Sequence, residues 1–376
     1  MAGIYLHIPF CKRRCLYCDF YSTTRDEMKH RYISALCQEL ELRKNYLASD
    51  PIETIYWGGG TPSQLSLSDF EHVFDTIYRL YSVTPDAEIT IEANPDDLNN
   101  EYVSMLQTLP FNRLSMGIQT FNDENLSLLH RRHTAQQAID AFYRCREAGF
   151  KNISIDLMYG LPNETEQSWA IDLDQAIQMH PEHISAYHLI YEEGTPLWTL
   201  REQHQVKEAD EDLSVRLFSM LIHRLKDAGY QHYEISNFCL PGLHSRHNSS
   251  YWTGKKYLGC GASAHSFDGH SRQWNVASLD RYINATDNRT LDFEIEQLDL
   301  TTRYNDFVIT TIRTCWGMPL KKLKDDFGIQ LYDYCLRMAR PHIEQGMLQI
   351  DNDTIHLTEQ GIFISDGIMS DMLWVE

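Results

Sequence analysis

Three cysteines crowd into eight residues near the start of the chain, Cys11-x3-Cys15-x2-Cys18, the densest set of soft ligands in the sequence. Three thiolates on one loop can hold three irons of a four-iron cluster, [4Fe-4S], and leave the fourth iron open to an outside ligand. The alternative is a structural zinc site of the same cysteines and a histidine such as His7. Zinc sites usually pair their ligands as two close doublets, and no second doublet follows here. Nine cysteines, an odd number, fit metal ligation in a reducing compartment better than a disulfide framework.

Downstream, Gly58-Gly59-Gly60-Thr61 would let backbone groups approach a ligand's polar end. Glu92, Gln119, Arg131 and Asp156 supply carboxylate or amide acceptors that suit a ribose and a guanidinium that suits a ligand carboxylate. Each alone reads equally well as a helix cap or a solvated group. What joins them is that they follow successive strands of one predicted array.

Short apolar or β-branched runs recur at 4–10, 54–57, 88–93, 113–119, 152–159 and 183–191, with strand starts 25 to 50 residues apart, the scale of a βαβ unit. Helical spacing fills the intervals at 28–47, 69–81, 101–106, 135–148 and 166–179, and again at 209–228. Right-handed crossovers then make the sheet parallel, and the polar residues fall at the C-terminal ends of its strands, where such folds put their chemistry. Six units are too few to close a barrel. The expected fold is α/β: a partial, open (β/α)6 TIM-type barrel over residues 1–229, with a flat doubly wound sheet as the alternative. Residues 230–300 form a Gly-, His- and aromatic-rich connecting region without readable periodicity. Residues 301–376 read as a small α+β domain of winged-helix type, with helices at 302–314, 319–327 and 332–345 and a two-strand signal at 347–350 and 354–357.

The 376 residues carry 33 Lys+Arg against 53 Asp+Glu, a net charge of −20 that disfavours nucleic acid as a partner. No apolar run reaches the roughly 18 residues of a spanning helix, and the first residues lack the charge and apolar pattern of a secretory signal, so a cytoplasmic protein is expected.

The cysteine spacing resembles that of the radical S-adenosylmethionine (SAM) enzymes. Tyr5-Leu6-His7-Ile8-Pro9-Phe10-Cys11, Trp57-Gly58-Gly59-Gly60-Thr61-Pro62-Ser63, Ser115-Met116-Gly117-Ile118-Gln119-Thr120-Phe121 and Asp156-Leu157-Met158-Tyr159-Gly160-Leu161-Pro162 are similar to oxygen-independent coproporphyrinogen III oxidase (HemN) and its relative, the haem chaperone family HemW. The resemblance implies a radical-SAM barrel with a HemN-type C-terminal domain, a cluster on Cys11, Cys15 and Cys18, and SAM contacts at Tyr5, Tyr17, Gly59, Gly60, Thr61, Glu92, Gln119, Arg131 and Asp156.

Two features favour the chaperone over the oxidase. Phe20 stands where the oxidase has a further cysteine, and Arg246-His247-Asn248-Ser249-Ser250-Tyr251-Trp252 resembles the HNxxYW motif of HemW proteins. A histidine beside two aromatics suits a flat iron macrocycle, with His247 as candidate axial ligand, Tyr251 and Trp252 as walls, and Cys260 and His265 as lesser candidates. The implied cofactors are the [4Fe-4S] cluster, SAM and haem. The implied partners are acceptor haemoproteins, membrane respiratory complexes among them, with a homodimer left open. No catalytic residue is assigned. Oxidative decarboxylation of a porphyrinogen propionate is the competing activity, and a zinc-stabilised scaffold the third reading.

Overall fold

The computed structural model describes residues 1–375. Six strands, β1 (Ala2–Ile8), β2 (Ile52–Gly59), β3 (Val83–Ala93), β4 (Arg113–Gln119), β5 (Ile153–Tyr159) and β6 (His183–His188), lie side by side in chain order and all run parallel. That unbroken order is the (β/α) barrel expectation; a doubly wound sheet would reverse at a switch point. Helices α1 (Lys29–Leu42), α2 (Leu67–Leu80), α3 (Asn100–Leu106), α4 (Asp123–Leu128), α5 (Ala135–Glu147) and α6 (Glu166–Met179) form the crossovers. Ser66, Thr134 and Thr165 start α2, α5 and α6 with hydroxyls that accept the third backbone N–H, closing capping boxes.

The outer faces of the strands pack against these helices in one apolar core that includes Ile4, Trp57, Ile91, Leu114, Ile155 and Trp169. The inner faces are polar: residues 113, 115, 117 and 119 of β4 all line the barrel lumen, as the two-residue period of a strand requires.

After α7 (Pro196–Glu202) and α8 (Glu211–Asp227), β7 (Gln231–Glu234) and β8 (Asn237–Cys239) pair antiparallel along β6. Then comes α9 (Arg246–Trp252), followed by β9 (Lys256–Cys260), which runs parallel to β1 on the opposite edge. The sheet ends in β10 (His265–Phe267), β11 (Ser271–Asn275) and, after α10 (Leu279–Asp287), β12 (Phe293–Gln297), giving twelve strands among the described residues. Thus residues 230–300 contribute strands to both edges of the barrel sheet.

The remaining chain has its own apolar core around Tyr304, Leu323, Cys335 and Met372. It comprises α11 (Leu300–Ile312), β13 (Met318–Pro319), α12 (Leu320–Glu344), β14 (Leu348–Asp351), β15 (Thr354–Leu357), α13 (Glu359–Ile362) and α14 (Ser365–Met372). The helix α12 is broken at Gly328, whose φ of 80° is open to glycine, so the two helices of the sequence reading survive as two segments. Among the described residues, no helix is long and apolar enough to cross a membrane.

Candidate functional site

The loop leaving β1 carries Cys11, Cys15 and Cys18, all free thiols of intermediate exposure. With Tyr17, Gly59, Gly60, Thr61, Glu92, Gln119, Arg131 and Asp156 they line one cavity of about 400 Å³ at the C-terminal end of the barrel strands. Of the residues expected to contact SAM, only Tyr5 lies elsewhere, in the neighbouring cavity described below.

Two hydrogen-bond donors already address the sulfurs: Thr61 Oγ1 donates to Cys11 Sγ at 3.4 Å and Arg131 Nη1 to Cys15 Sγ at 3.3 Å. Burial pushes the Cys11 thiol up and Cys18 up to about 11, so as bare thiols they keep their protons. A cationic iron centre supplies the compensating charge that would make them thiolates, and the two donors suit that state. Among the described residues, no three His, Cys, Asp or Glu side chains are gathered tightly enough for a single metal ion. A four-iron cluster would bind each thiolate to a different iron. His7, the fourth ligand of the zinc alternative, lines the neighbouring cavity instead, with Nδ1 bonded to Tyr5 Oη at 3.1 Å and Nε2 to the Tyr21 carbonyl at 2.8 Å.

The glycine turn earns its glycines by close packing. A Cβ at Gly60 would lie 2.7 Å from Pro9 C and 2.8 Å from Ile8 O, and Gly59, at φ 105°, sits against the His7 ring. The turn is thereby pressed onto the end of β1, next to the cysteine loop. Glu92 accepts from Tyr56 Oη at 2.8 Å and from the Gly59 N–H at 3.1 Å, and burial still pushes it up to about 7. Asp156, reached by the Ser115 hydroxyl at 3.4 Å, is pushed up to about 6 by burial. Arg131 also donates to Asn94 Oδ1 and the Gly117 carbonyl, both at 2.6 Å, which fixes it at the cavity mouth. Gln119 holds a left-handed backbone, φ 75°, at the end of β4, a strained conformation of the kind that collects at functional sites.

A second cavity of about 490 Å³ adjoins the first; Phe20, Tyr56, Glu92, Tyr187 and Asn248 face both. Its other walls include Tyr5, His247, Tyr251 and His265. The HNxxYW segment, unreadable in periodicity, is the helix α9, and it plugs the barrel at the N-terminal ends of the strands. Glu88 of β3 accepts the backbone N–H groups of Arg246 and His247 at 3.0 and 2.9 Å. His247, 1 % exposed, bonds through Nδ1 to Thr54 Oγ1 at 2.8 Å and through Nε2 to Tyr251 Oη at 2.9 Å. Its ring stacks on Tyr56 at 5.0 Å between centroids, and burial, followed by the Arg113 charge, lowers its pKa to about 3, so the imidazole is neutral. A neutral imidazole is the form able to ligate a metal, and in this structure both of its ring nitrogens are engaged, by the Thr54 and Tyr251 hydroxyls. Trp252, expected as a second wall, corrects the sequence reading: it lies under the Arg313 guanidinium, 4.1 Å from the ring centroid, and faces the C-terminal domain. Cys260 and Cys239 are buried in the core.

Sequence reasoning missed Tyr56, Asn94, Ser115 and Asn248 as cavity residues. The signal was available for three of them: Tyr56, Asn94 and Ser115 stand two residues from Gly58, Glu92 and Gly117, on the same strand face or its continuation.

Residues 5–176 match the Radical SAM superfamily and residues 298–364 the HemN C-terminal domain. The heme chaperone HemW of Bacillus subtilis is 31% identical over 99% of both chains, and that of Mycobacterium tuberculosis 32% identical over 99% of this chain and 94% of the relative. The solved structure of coproporphyrinogen III oxidase (HemN) from Escherichia coli superposes with a TM-score of 0.85 at 25% identity, covering 99% of this chain and 89% of that one. With a radical-SAM barrel, a HemN-type C-terminal domain and full-length relatives above 30% identity, the chain belongs to the HemW family.

Proposed function

We propose that this protein is a cytoplasmic haem chaperone. The first cavity holds a [4Fe-4S] cluster on Cys11, Cys15 and Cys18 together with SAM, the second holds haem against His247 and Tyr251, and haem passes on to acceptor haemoproteins such as membrane respiratory complexes. The observation that carries the reading is the shared wall: Tyr56, Glu92 and Asn248 face both the cysteine-lined and the histidine-lined cavity. The same reading divides the chain into a barrel, 1–229, a connecting region bearing the haem motif, 230–300, and a C-terminal domain, 301–376.

When bound, the cluster supplies an iron with a free coordination position for an outside ligand. The chain's own residues do the rest. Thr61 and Arg131 hold charge at the sulfurs, Glu92 and Asp156 offer acceptors to hydroxyl groups, and the tyrosine rings around His247 give a flat apolar face with polar edges. The full-length relatives named as heme chaperones support this reading.

The likeness to coproporphyrinogen III oxidase favours a second reading, oxidative decarboxylation of a porphyrinogen propionate. Anaerobic reconstitution of the wild type and of a Cys11/Cys15/Cys18 triple-alanine variant, followed by haem titration and a coproporphyrinogen assay with SAM, separates the two. Stoichiometric haem uptake without vinyl product supports the chaperone. Vinyl product that vanishes in the triple variant establishes the oxidase instead.

A further inference from the structure

The two edges of the twelve-stranded sheet are finished differently. At β7 the C-terminal domain covers the edge: Glu234 bridges to Thr314, and the Cys315 N–H donates to the Tyr233 carbonyl at 2.9 Å. At the other edge β12 pairs with β11 alone, and all five of its residues, Phe293 to Gln297, are exposed. The Val276 N–H donates to the Asp292 carbonyl at one end of this antiparallel ladder and the Leu298 N–H to the His270 carbonyl at the other. Those two bonds set the alternation between them, so Glu294 and Glu296 spend their backbone groups on β11. The N–H and C=O groups of Phe293, Ile295 and Gln297 therefore point outward, and among the described residues no strand pairs with them.

A row of free backbone groups is a template for another strand, and proteins usually blunt it with a proline, a bulge or charge. β12 has neither proline nor bulge. Its side chains alternate: Phe293 and Ile295, 40 and 49 % exposed, stand on one face, and Glu294 and Glu296 on the other. The glutamates decide which strand can join. Two β12 strands paired antiparallel about a two-fold axis would gather four glutamates on one face, and like charges across a ladder repel. Residues 292–299 hold four carboxylates and no Lys or Arg, in a chain of net charge −20. Arg281 pairs with Asp292 and Arg272 with Glu296, which leaves Glu294 and Asp299 without a cation among the described residues. The edge thus repels a second copy and suits a strand in which Lys or Arg alternates with apolar residues.

We propose that β12 is a docking edge, completed by an extended segment of a partner protein that alternates apolar and basic residues. The outward backbone groups of Phe293, Ile295 and Gln297 supply the ladder, the Phe293 and Ile295 side chains meet the apolar residues, and Glu294 and Glu296 meet the basic ones. The edge lies close to the second cavity. His265 in the cavity wall stands opposite Trp274 of β11, and Trp274 opposite Glu294, so an added strand runs three strand spacings from His265, about 14 Å. Taking the partner to be a haem acceptor rests on the function proposed above; the docking itself does not.

The probe is a fluorescent peptide of three Val-Lys repeats, titrated with the full chain and followed by anisotropy, with three Val-Glu repeats as its counterpart. Ile295→Pro deletes the outward N–H at the centre of the edge without touching the β11 ladder, a position where an edge strand tolerates proline. Glu294→Lys combined with Glu296→Lys reverses the charge. The wild type is expected to prefer the lysine peptide by about tenfold, Ile295→Pro to weaken that peptide by about tenfold, and the double variant to invert the preference. Circular dichroism checks the folds, and the double variant decides alone if Ile295→Pro unfolds. Lysine-peptide affinity that Ile295→Pro leaves unchanged is mere attraction to an acidic chain and overturns the docking edge, as does an absence of binding. A dimer in sedimentation that Ile295→Pro abolishes assigns the edge to a second copy and overturns the basic partner. Haem titration of the same proteins keeps the two readings apart: a wild type that takes up no haem defeats the acceptor identity, while the peptide result still decides the edge.

Discussion

Glu88 is expected to hold His247 in place from another part of the chain. Its two carboxylate oxygens accept the backbone N–H groups of Arg246 and His247 at 3.0 and 2.9 Å, fixing the first turn of α9 to β3. A hydrogen bond to a charged acceptor contributes about 1.5–3 kcal/mol, so losing both in Glu88→Ala should cost about 3–6 kcal/mol. Glu88 also lines an open cavity of about 620 Å³ on the barrel floor, where water can serve one of the orphaned amides, and this points to the lower end of that range. Glu88→Gln keeps one oxygen but turns an N–H2 toward the other amide, so about half the loss is expected. Urea unfolding of the cluster-free protein measures the first effect, and haem titration the second, since α9 carries His247 and Tyr251. Glu88→Ala within about 0.5 kcal/mol of wild type, with unchanged haem uptake, would refute the claim that β3 positions the helix.

Three other outcomes are expected. Gly60→Ala forces a Cβ onto the backbone of Ile8 and Pro9, which cannot yield as a side chain could; a loss of about 1–3 kcal/mol and poorer iron loading should appear in thermal melts and iron analysis. Glu92 has a folded-state pKa raised to about 7, so its contribution to stability is fully present below about pH 4.5 and is lost as pH rises through 7. The loss, about 3 kcal/mol from a shift of roughly 2.5 units, should be read in denaturation of the cluster-free protein at pH 5 and 8, and Glu92→Gln should flatten it. Arg313→Ala removes the cation over the Trp252 ring and the 3.3 Å ion pair with Glu234, and an expected loss of about 1–3 kcal/mol can be followed by urea unfolding.

The barrel was legible because each strand carries a short apolar or β-branched run on the side that faces the helices, and because each is followed by a helix with its own start signal. The predicted α6, 166–179, coincides with the observed helix, whose Thr165 cap is written in the sequence. The cysteine cavity was legible for a related reason: Glu92 and Gln119 sit at or near the C-terminal ends of their strands and Asp156 lies midway along the next one, and strand order then brings them together. Residues 230–300 were not. β8 and β10 have three residues each, too few to show a period of two, and β9 finds its partner β1 more than 250 positions earlier. Arg113 was passed over at the start of the 113–119 run, two residues before the motif that drew attention, although the same alternation that points Gln119 inward points Arg113 inward as well.

The HNxxYW segment shows why recognising residues is not enough without knowing their element. Read as an irregular stretch, His247, Tyr251 and Trp252 form one aromatic group around one ligand. Its composition, with Asn, two Ser, Tyr and Trp, gives little intrinsic drive to a helix. The helix exists because Ser245 caps it and Glu88, 158 residues away from Arg246 in sequence, accepts two of its free N–H groups. Once it is helical, the geometry divides the motif. Residues four apart lie one above the other, so His247 and Tyr251 meet across a 2.9 Å hydrogen bond in the lumen. Trp252, one position on, is turned about 100° around the axis and leaves the lumen for Arg313. The motif therefore does two jobs from one short helix: two side chains furnish the cavity, and the third joins the barrel to the C-terminal domain.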